Sequence, residues 1–355
     1  MKRFLAKLDH WQRTHNSLAF PFAVVKKFGE DQAGNLAALV AYYAIFSIFP
    51  LLLVLTTVLG FVLAGHPSWQ QNVTDSALHN LPLVHLQTKH TSGSVVALVV
   101  GSLISLWSGL GVAKAAQTAF DTVYLVPKTD RPGFPWGILR AARIVVVGGL
   151  GFLTTTAVSG AFANVQSVDG LDLGPGLRVL GTVLAVGLNV GLFLVLFRWL
   201  TVRPVGWRDA LPGAVISAVI LQALQTGASL FINHQLKGAS TTYGKDVAGV
   251  IVLMSWFYLQ AQVVLLSAEV NVVRHYKLWP RALTDAPATP ADYRAYEAYA
   301  ERERYQPNEE VDTDFSGHDN DEGPPSTGTT GLRSSETVTA RTRAPGQPAA
   351  PSDPE

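Results

Sequence analysis

The sequence predicts an all-α polytopic membrane protein: a six-helix transmembrane bundle with a disordered C-terminal tail. Three observations predict it. Residues 36–63, LAALVAYYAIFSIFPLLLVLTTVLGFVL, contain no charged residue and no histidine, and a helix needs roughly 20 apolar residues to cross a bilayer core. Further apolar runs follow at about 94–112, 144–163, 177–200, 210–232 and 247–273. Lysine and arginine then collect in every second connection. Charged residues are only 15% of the 355-residue chain, against about 25% in soluble domains.

Residues 1–34 read as a basic cytoplasmic leader. Phe4, Leu8 and Trp11 recur at helical spacing among Lys2, Arg3, Lys7 and Arg13, the pattern of a helix lying on a membrane surface. A partly ordered leader carries the same residues. No cleavable signal peptide is evident, because the first apolar run is too long for an h-region.

Span by span, residues 35–281 form the transmembrane domain. The first run would reach about 42 Å as a straight helix, beyond the roughly 30 Å core, so it must tilt, bend or protrude. Pro50 lies near its middle and is the expected bend, since proline removes a donor and crowds the preceding turn. The second run turns amphipathic through GVAKAAQTAFDTVYLV, and small residues at Gly101, Ser105 and Gly109 favour close helix approach. The third is rich in valine, glycine and threonine. A Gly-Pro-Gly turn at 174–176 precedes the fourth. The fifth opens on Leu211-Pro212-Gly213, where proline near a helix start is tolerated. The sixth contains one charge, Glu269. From residue 282 to 355 the chain reads as a cytoplasmic tail. ADYRAYEAYAERERYQ has the makings of a short charged helix, and the Pro, Gly, Ser, Thr and acid beyond about 307 cannot offset chain entropy by burial.

Charge fixes the orientation. The leader, the 2–3 loop (Lys128, Arg131, Arg140, Arg143), the 4–5 loop (Arg198, Arg203, Arg208) and the segment after span six (Arg274, Lys277, Arg281) are basic. The intervening loops hold Lys89, Arg178, and the pair Lys237 and Lys245. The positive-inside rule then places both termini in the cytoplasm.

Polar residues inside the spans mark the faces turned to other helices or to a wet cavity. Ser255, Tyr258, Gln262 and Glu269 form one stripe, Gln222, Gln225 and Ser229 another, and Lys114, Gln117 and Asp121 a third. The functional reading is a polar path; the plainer one is hydrogen bonding that holds the bundle together. The candidate lining is Tyr42, Tyr43, Ser47, Trp107, Gln225, Trp256, Gln262 and Glu269. Trp107 and Trp256 serve equally as packing anchors. Glu269 is either functional or paired with Arg274 or another basic residue.

Other chemistry is sparse. The chain has no cysteine, which excludes disulfides and thiolate sites. His66, His79, His85 and His90 match no zinc-ligand spacing, and Asn72-Val73-Thr74 is a glycosylation sequon relevant only on a eukaryotic secretory route. No P-loop, His-Glu-x-x-His, Gly-x-Ser-x-Gly or dinucleotide fingerprint is present. No catalytic residue, metal or cofactor is therefore expected.

Four stretches carry a family resemblance: AYYAIFSIFPLLL (41–53), LWSGLGVAKAAQTAFDTVY (106–124), LPGA (211–214) and YGKDVAGVIVLMSWFYLQAQVVLLSAEVN (243–271). Together they resemble the YihY/virulence factor BrkB family of bacterial inner-membrane proteins with six spans. Asp121 stands where that family usually has Asn, beside Lys114 with which it could pair, and Ser267 where Gly is frequent. The resemblance implies a multi-pass protein of the bacterial plasma membrane, associated with export of envelope lipid or small molecules. The family's old label, ribonuclease BN, is widely regarded as a misassignment and finds no acidic metal cluster here. The expected partners are membrane lipids and a lipid or small-molecule substrate, with no nucleic acid; a homo-oligomer is compatible. The alternative is a non-transporting scaffold of an envelope assembly.

Overall fold

The structure, a computed structural model, describes Asp9, residues 12–62, 95–164, 174–243, 245–283 and 288–313, and Phe315. The described residues are helical, with no strand among them. In chain order the helices are α1 (Asn16–Glu30), α2 (Ala33–Val62), α3 (Val95–Val123), α4 (Trp136–Asn164), α5 (Gly174–Leu200), α6 (Trp207–Tyr243), α7 (Lys245–Tyr276) and α8 (Pro290–Arg302), with one 3-10 turn at Lys128–Asp130. Residues up to Thr313 form one compact unit; those from Asp314 form a second, of which only Phe315 is described.

Each helix from α2 to α7 contains one of the apolar runs, and several extend well past it. Among the described residues, Val179–Leu200 and Val247–Tyr276 are long and apolar enough to cross a bilayer, while Ala33–Ile48 is a shorter apolar stretch. α2 runs through Pro50, whose side chain lies outside the described set, as do those of Gly101 and Ser105 on α3. The four loop histidines, Asn72, and the leader residues Phe4, Leu8 and Trp11 also fall outside it.

Phe120, Phe197 and Leu265 are buried in the core, and small residues line the close contacts between helices. Small residues are inside: Ala33, Ala37 and Ala41 on α2, and Ala210, Ala214 and Ala218 on α6, are fully buried. Their four-residue spacing puts each set on one helix face, and the missing bulk lets backbones approach. A Cβ added at Gly111 would sit 2.8 Å from the Tyr43 ring, so that glycine admits Tyr43 between α2 and α3. Other large apolar side chains point out: Leu103, Leu150, Val179 and Val183 are each at least 60% exposed. Exposed apolar surface on this scale marks a surface that meets lipid or protein rather than water.

α7 is central. It packs against α1, α2, α3 and α6, while α4 and α5 pair with each other at the side and join the rest through α3 and α6. α1 lays Ala19, Ala23, Val24 and Lys27 against the bundle, all 4% exposed or less. Between α1 and α2 the chain reverses at Gln32, which takes the left-handed conformation with φ 52°.

Candidate functional site

Three polar clusters and one cavity gather at the end of the bundle where α3, α5 and α7 finish and α2 and α6 begin. The first cluster starts from Lys27, four residues before Asp31, so both side chains share a face of α1 and its C-cap. The Lys27 ammonium donates to Asp31 Oδ2 at 2.5 Å, to Glu269 Oε2 at 2.8 Å and to the Val123 carbonyl at 2.9 Å. Its three protons are thereby used. Asp31 Oδ1 also accepts from Arg302 of α8 at 2.6 Å. The side chains of Lys27, Asp31 and Glu269 are fully buried. Burial pulls the Lys27 pKa down, but the charges of Glu269 and Asp31 outweigh it and hold the ammonium above its ordinary range. Glu269 Oε1 has no hydrogen-bond partner among the described residues.

In a second cluster α8 is tied to the same end. Asp292 accepts from Arg281 Nε at 2.5 Å, from Lys26 at 3.1 Å, and from the backbone N–H groups of Ala282 and Thr289, each at 2.9 Å. Thr289 and Asp292 form a capping box at the start of α8. Arg281 reaches both carboxylate oxygens of Glu30 at 2.9 and 3.0 Å, and Tyr299 donates to Glu30 at 2.7 Å. Burial alone would raise the Asp292 carboxyl, but Arg281 and the two N–H donors hold it well below the usual carboxylate range.

The third cluster joins LPGA to the end of α7. Asn271 Oδ1 accepts the Gly213 N–H at 2.7 Å, and its amide donates to the Tyr124 hydroxyl at 3.2 Å and the Ala210 carbonyl at 3.4 Å. A Cβ at Gly213 would collide with the Ser267 carbonyl and lie 2.5 Å from Asn271 Nδ2. The LPGA stretch and the Ala-Glu-x-Asn end of α7 therefore touch backbone to backbone. Nearby, Asp121 accepts from the Val202 N–H at 2.8 Å and faces Arg140 at 3.9 Å. Lys114, which the sequence suggests as its partner, is exposed instead.

One turn above Glu269, on the same face of α7, Leu265 lines a cavity of about 210 Å³. Val40 and Ala44 of α2, Ala116 and Phe120 of α3, Leu200, Leu221 of α6 and Phe257 and Ala261 of α7 line it, it opens on one side, and Gln260 is its polar contributor. An apolar cavity of about 150 Å³ stays dry and takes up benzene, so this one suits hydrocarbon rather than water or ions.

The residues named from sequence fall into separate places. Tyr42 and Tyr43 meet edge to face at 5.5 Å, and both are exposed. Ser47 donates to its own helix at Ala44. Trp107 is 80% exposed, and Gln225 is exposed. Trp256 packs on Phe231 of α6 at 5.4 Å, Gln262 is half-buried, and Glu269 alone enters a polar cluster. None of the eight lines the cavity just described. The partner of Glu269 is Lys27, not Arg274, which is exposed. Lys26, Lys27, Arg281 and Asp292 carry no site role in the sequence reading. Two signals for them were present: Lys26-Lys27 set four residues before Glu30-Asp31, and Thr289-x-x-Asp292 as a capping pattern. Among the described residues no group of His, Asp or Glu is arranged to hold a metal ion.

Long helices with small residues at their contacts and large apolar side chains exposed on their flanks fit a helical membrane protein. Residues 24–291 match the family model of Virulence factor BrkB, and the chain belongs to that family. A UPF0761 membrane protein of Pseudomonas aeruginosa (strain LESB58) is 25% identical over 285 residues, 75% of this chain and 66% of the relative. The inner membrane protein YhjD of Escherichia coli (strain K12) is 23% identical over 283 residues, 74% of this chain and 83% of the relative. The UPF0761 membrane protein Smlt0865 of Stenotrophomonas maltophilia (strain K279a) is 26% identical over 263 residues, 69% of this chain and 58% of the relative. The chain thus spans about two thirds or less of the Pseudomonas and Stenotrophomonas relatives. No solved structure matches it.

Proposed function

We propose that this protein moves an amphipathic small molecule or lipid across the inner membrane of a bacterium. In this reading six helices cross the bilayer and both termini lie in the cytoplasm. The alternation of basic and base-poor connections supports the orientation, and the names of the relatives support the location. The apolar cavity directly above the buried Lys27–Glu269 pair carries the functional reading. A hydrocarbon segment fits the cavity, and a polar segment can follow it toward Glu269 Oε1, which has capacity for one more hydrogen bond. Tyr43, Ser47, Gln225 and Gln262 lie on the same helices and are the candidates for the rest of the route.

Lipid and metabolite profiling of a deletion strain identifies the compound to reconstitute in vesicles. Ala261 lines the cavity; Ala261→Phe, which fills it, and Glu269→Gln are expected to slow the compound's movement at least tenfold. Wild-type rates in both variants would remove the transport reading. The scaffold reading draws on the near-complete pairing of the clusters around α8, and it predicts that reconstituted protein moves no compound from the profile.

A further inference from the structure

At the charged end of the bundle, two arginine–tryptophan stacks tie α5 to its neighbours, one to α4 and one to α6. The Arg143 guanidinium lies 4.4 Å from the centre of the Trp199 ring, and that of Arg198 lies 4.2 Å from the centre of the Trp207 ring. The four residues come from α4, α5 and α6, which are neighbours. Arg140 Nε donates to the Trp199 carbonyl at 3.0 Å and pins the start of α4 to the end of α5. Arg140 faces Asp121, but no ion pair joins Arg143 or Arg198 to a carboxylate among the described residues. Trp136 and Leu139 share a face of α4 with Arg143 by helical spacing; Trp136 is 69% exposed, Phe134 just before α4 85%, and Leu139 and Trp207 are also exposed.

This combination has a specific chemistry. Tryptophan favours the headgroup level of a bilayer, with its ring amphipathic. A guanidinium held on an aromatic face keeps its planar fork free to bind phosphate oxygens in pairs. Water is a poor neighbour for Phe134, Trp136 and Leu139 together, and a protein partner would not explain two uncompensated cations among them. We propose that this patch binds the phosphate of an anionic phospholipid in the leaflet that meets this end of the bundle. Arg143 and Arg198 would each offer a lipid phosphate a guanidinium fork, and Phe134, Trp136 and Leu139 would seat among the upper acyl carbons. The proposal stands apart from the transport reading, because a scaffold would need the same anchorage.

The full chain, purified in neutral detergent, is titrated with phosphatidylglycerol and with phosphatidylcholine of matched chains, and bound lipid is counted by native mass spectrometry. The wild type is expected to prefer phosphatidylglycerol. Arg143→Gln with Arg198→Gln is expected to weaken that binding about thirtyfold, roughly fivefold for each charge alone, with phosphatidylcholine unaffected. Arg143→Lys with Arg198→Lys keeps the charge and the fold but loses the planar stack, and is expected to lose part of the preference. The proposal is overturned if the wild type binds both lipids alike, or if both double variants keep its preference. It is equally overturned if inorganic phosphate displaces phosphatidylglycerol at matched concentration, which would mark a site for the free anion.

Discussion

At the start of α7, Val247, Val250, Ile251 and Met254 lie exposed while Ala248, Val252 and Leu253 are buried; toward its end, Ala268, Glu269, Asn271, Val272 and Val273 are at most 2% exposed. The two ends of one helix follow different physics. The exposed face at the start presents apolar side chains that lipid tails can cover without any particular geometry. The buried end is fixed by directional bonds to α1, α3 and α6, made by groups that no bilayer could satisfy. Between helices in lipid there is no hydrophobic drive to association, so packing and hydrogen bonds must set the arrangement. Among the described residues those bonds are concentrated at one end.

The sharpest way to break the comparison is to remove Lys27. Lys27→Met would leave the buried carboxylates of Glu269 and Asp31 facing each other with Arg302 alone to offset them. Removing one partner of a buried pair costs about 3–5 kcal/mol, and a loss of that size is expected in denaturant titration of the micellar protein. Adding Glu269→Gln to Lys27→Met should recover part of it, since the second change removes the stranded charge. Single and double variants that add independently would show that the two groups do not meet.

Asp292 tests the same end through α8. Asp292→Asn removes the charge that Arg281 and Lys26 share, and hydrogen bonds to charged groups contribute about 1.5–3 kcal/mol. The pH dependence has a definite sign. The folded carboxyl lies below its ordinary range, so its contribution is fully present above about pH 4 and is lost as pH falls toward the folded value. Protection of the α8 amides from hydrogen exchange should therefore fall with acid in the wild type. In the Asn variant it should start lower and change less over that window. A wild-type profile that is flat between about pH 5 and 2 would show that the Asp292 contacts do not hold α8.

The contrast between ends also governs what was legible in the sequence. Apolar length placed α2 to α7, because a run as long and as free of charge as 36–63 is rarely tolerated in a chain that folds in water. The second run is apolar to about Val112 and amphipathic beyond it, and α3 continues as one helix to Val123. Gln117 and Asp121 of its polar stripe are buried, while Lys114 of the same stripe is exposed; spacing does not separate them, because a polar residue that another element covers looks the same in one dimension as one that water covers. Glu269 stood out because it is a lone charge in an apolar run. Its partner, Lys27, did not, since it lies 242 residues away in a segment whose basic character fits a membrane surface equally well. Gln225 shows what a stripe leaves open: it shares a face of α6 with Gln222 and is exposed, because helical spacing says which residues share a face, not whether that face turns inward.

The smallest expected effect separates close helix contact from mere helix content. Gly213 and Gly187 both lie inside helices, α6 and α5. A methyl group at Gly213 would strike the Ser267 carbonyl and the Asn271 amide, whereas one at Gly187 meets nothing within 4 Å. Overfilling a packed contact costs about 1–3 kcal/mol, and Gly213→Ala should lose that much, with more if the Asn271 bond to the Gly213 N–H is broken. Gly187→Ala should instead be neutral or gain up to about 1 kcal/mol, because alanine restricts the unfolded chain and favours helix. Thermal unfolding of the two variants in the same micelle decides the matter. Equal midpoints would mean that α6 and α7 do not approach at Gly213, and the joining of LPGA to the end of α7 would have to be abandoned.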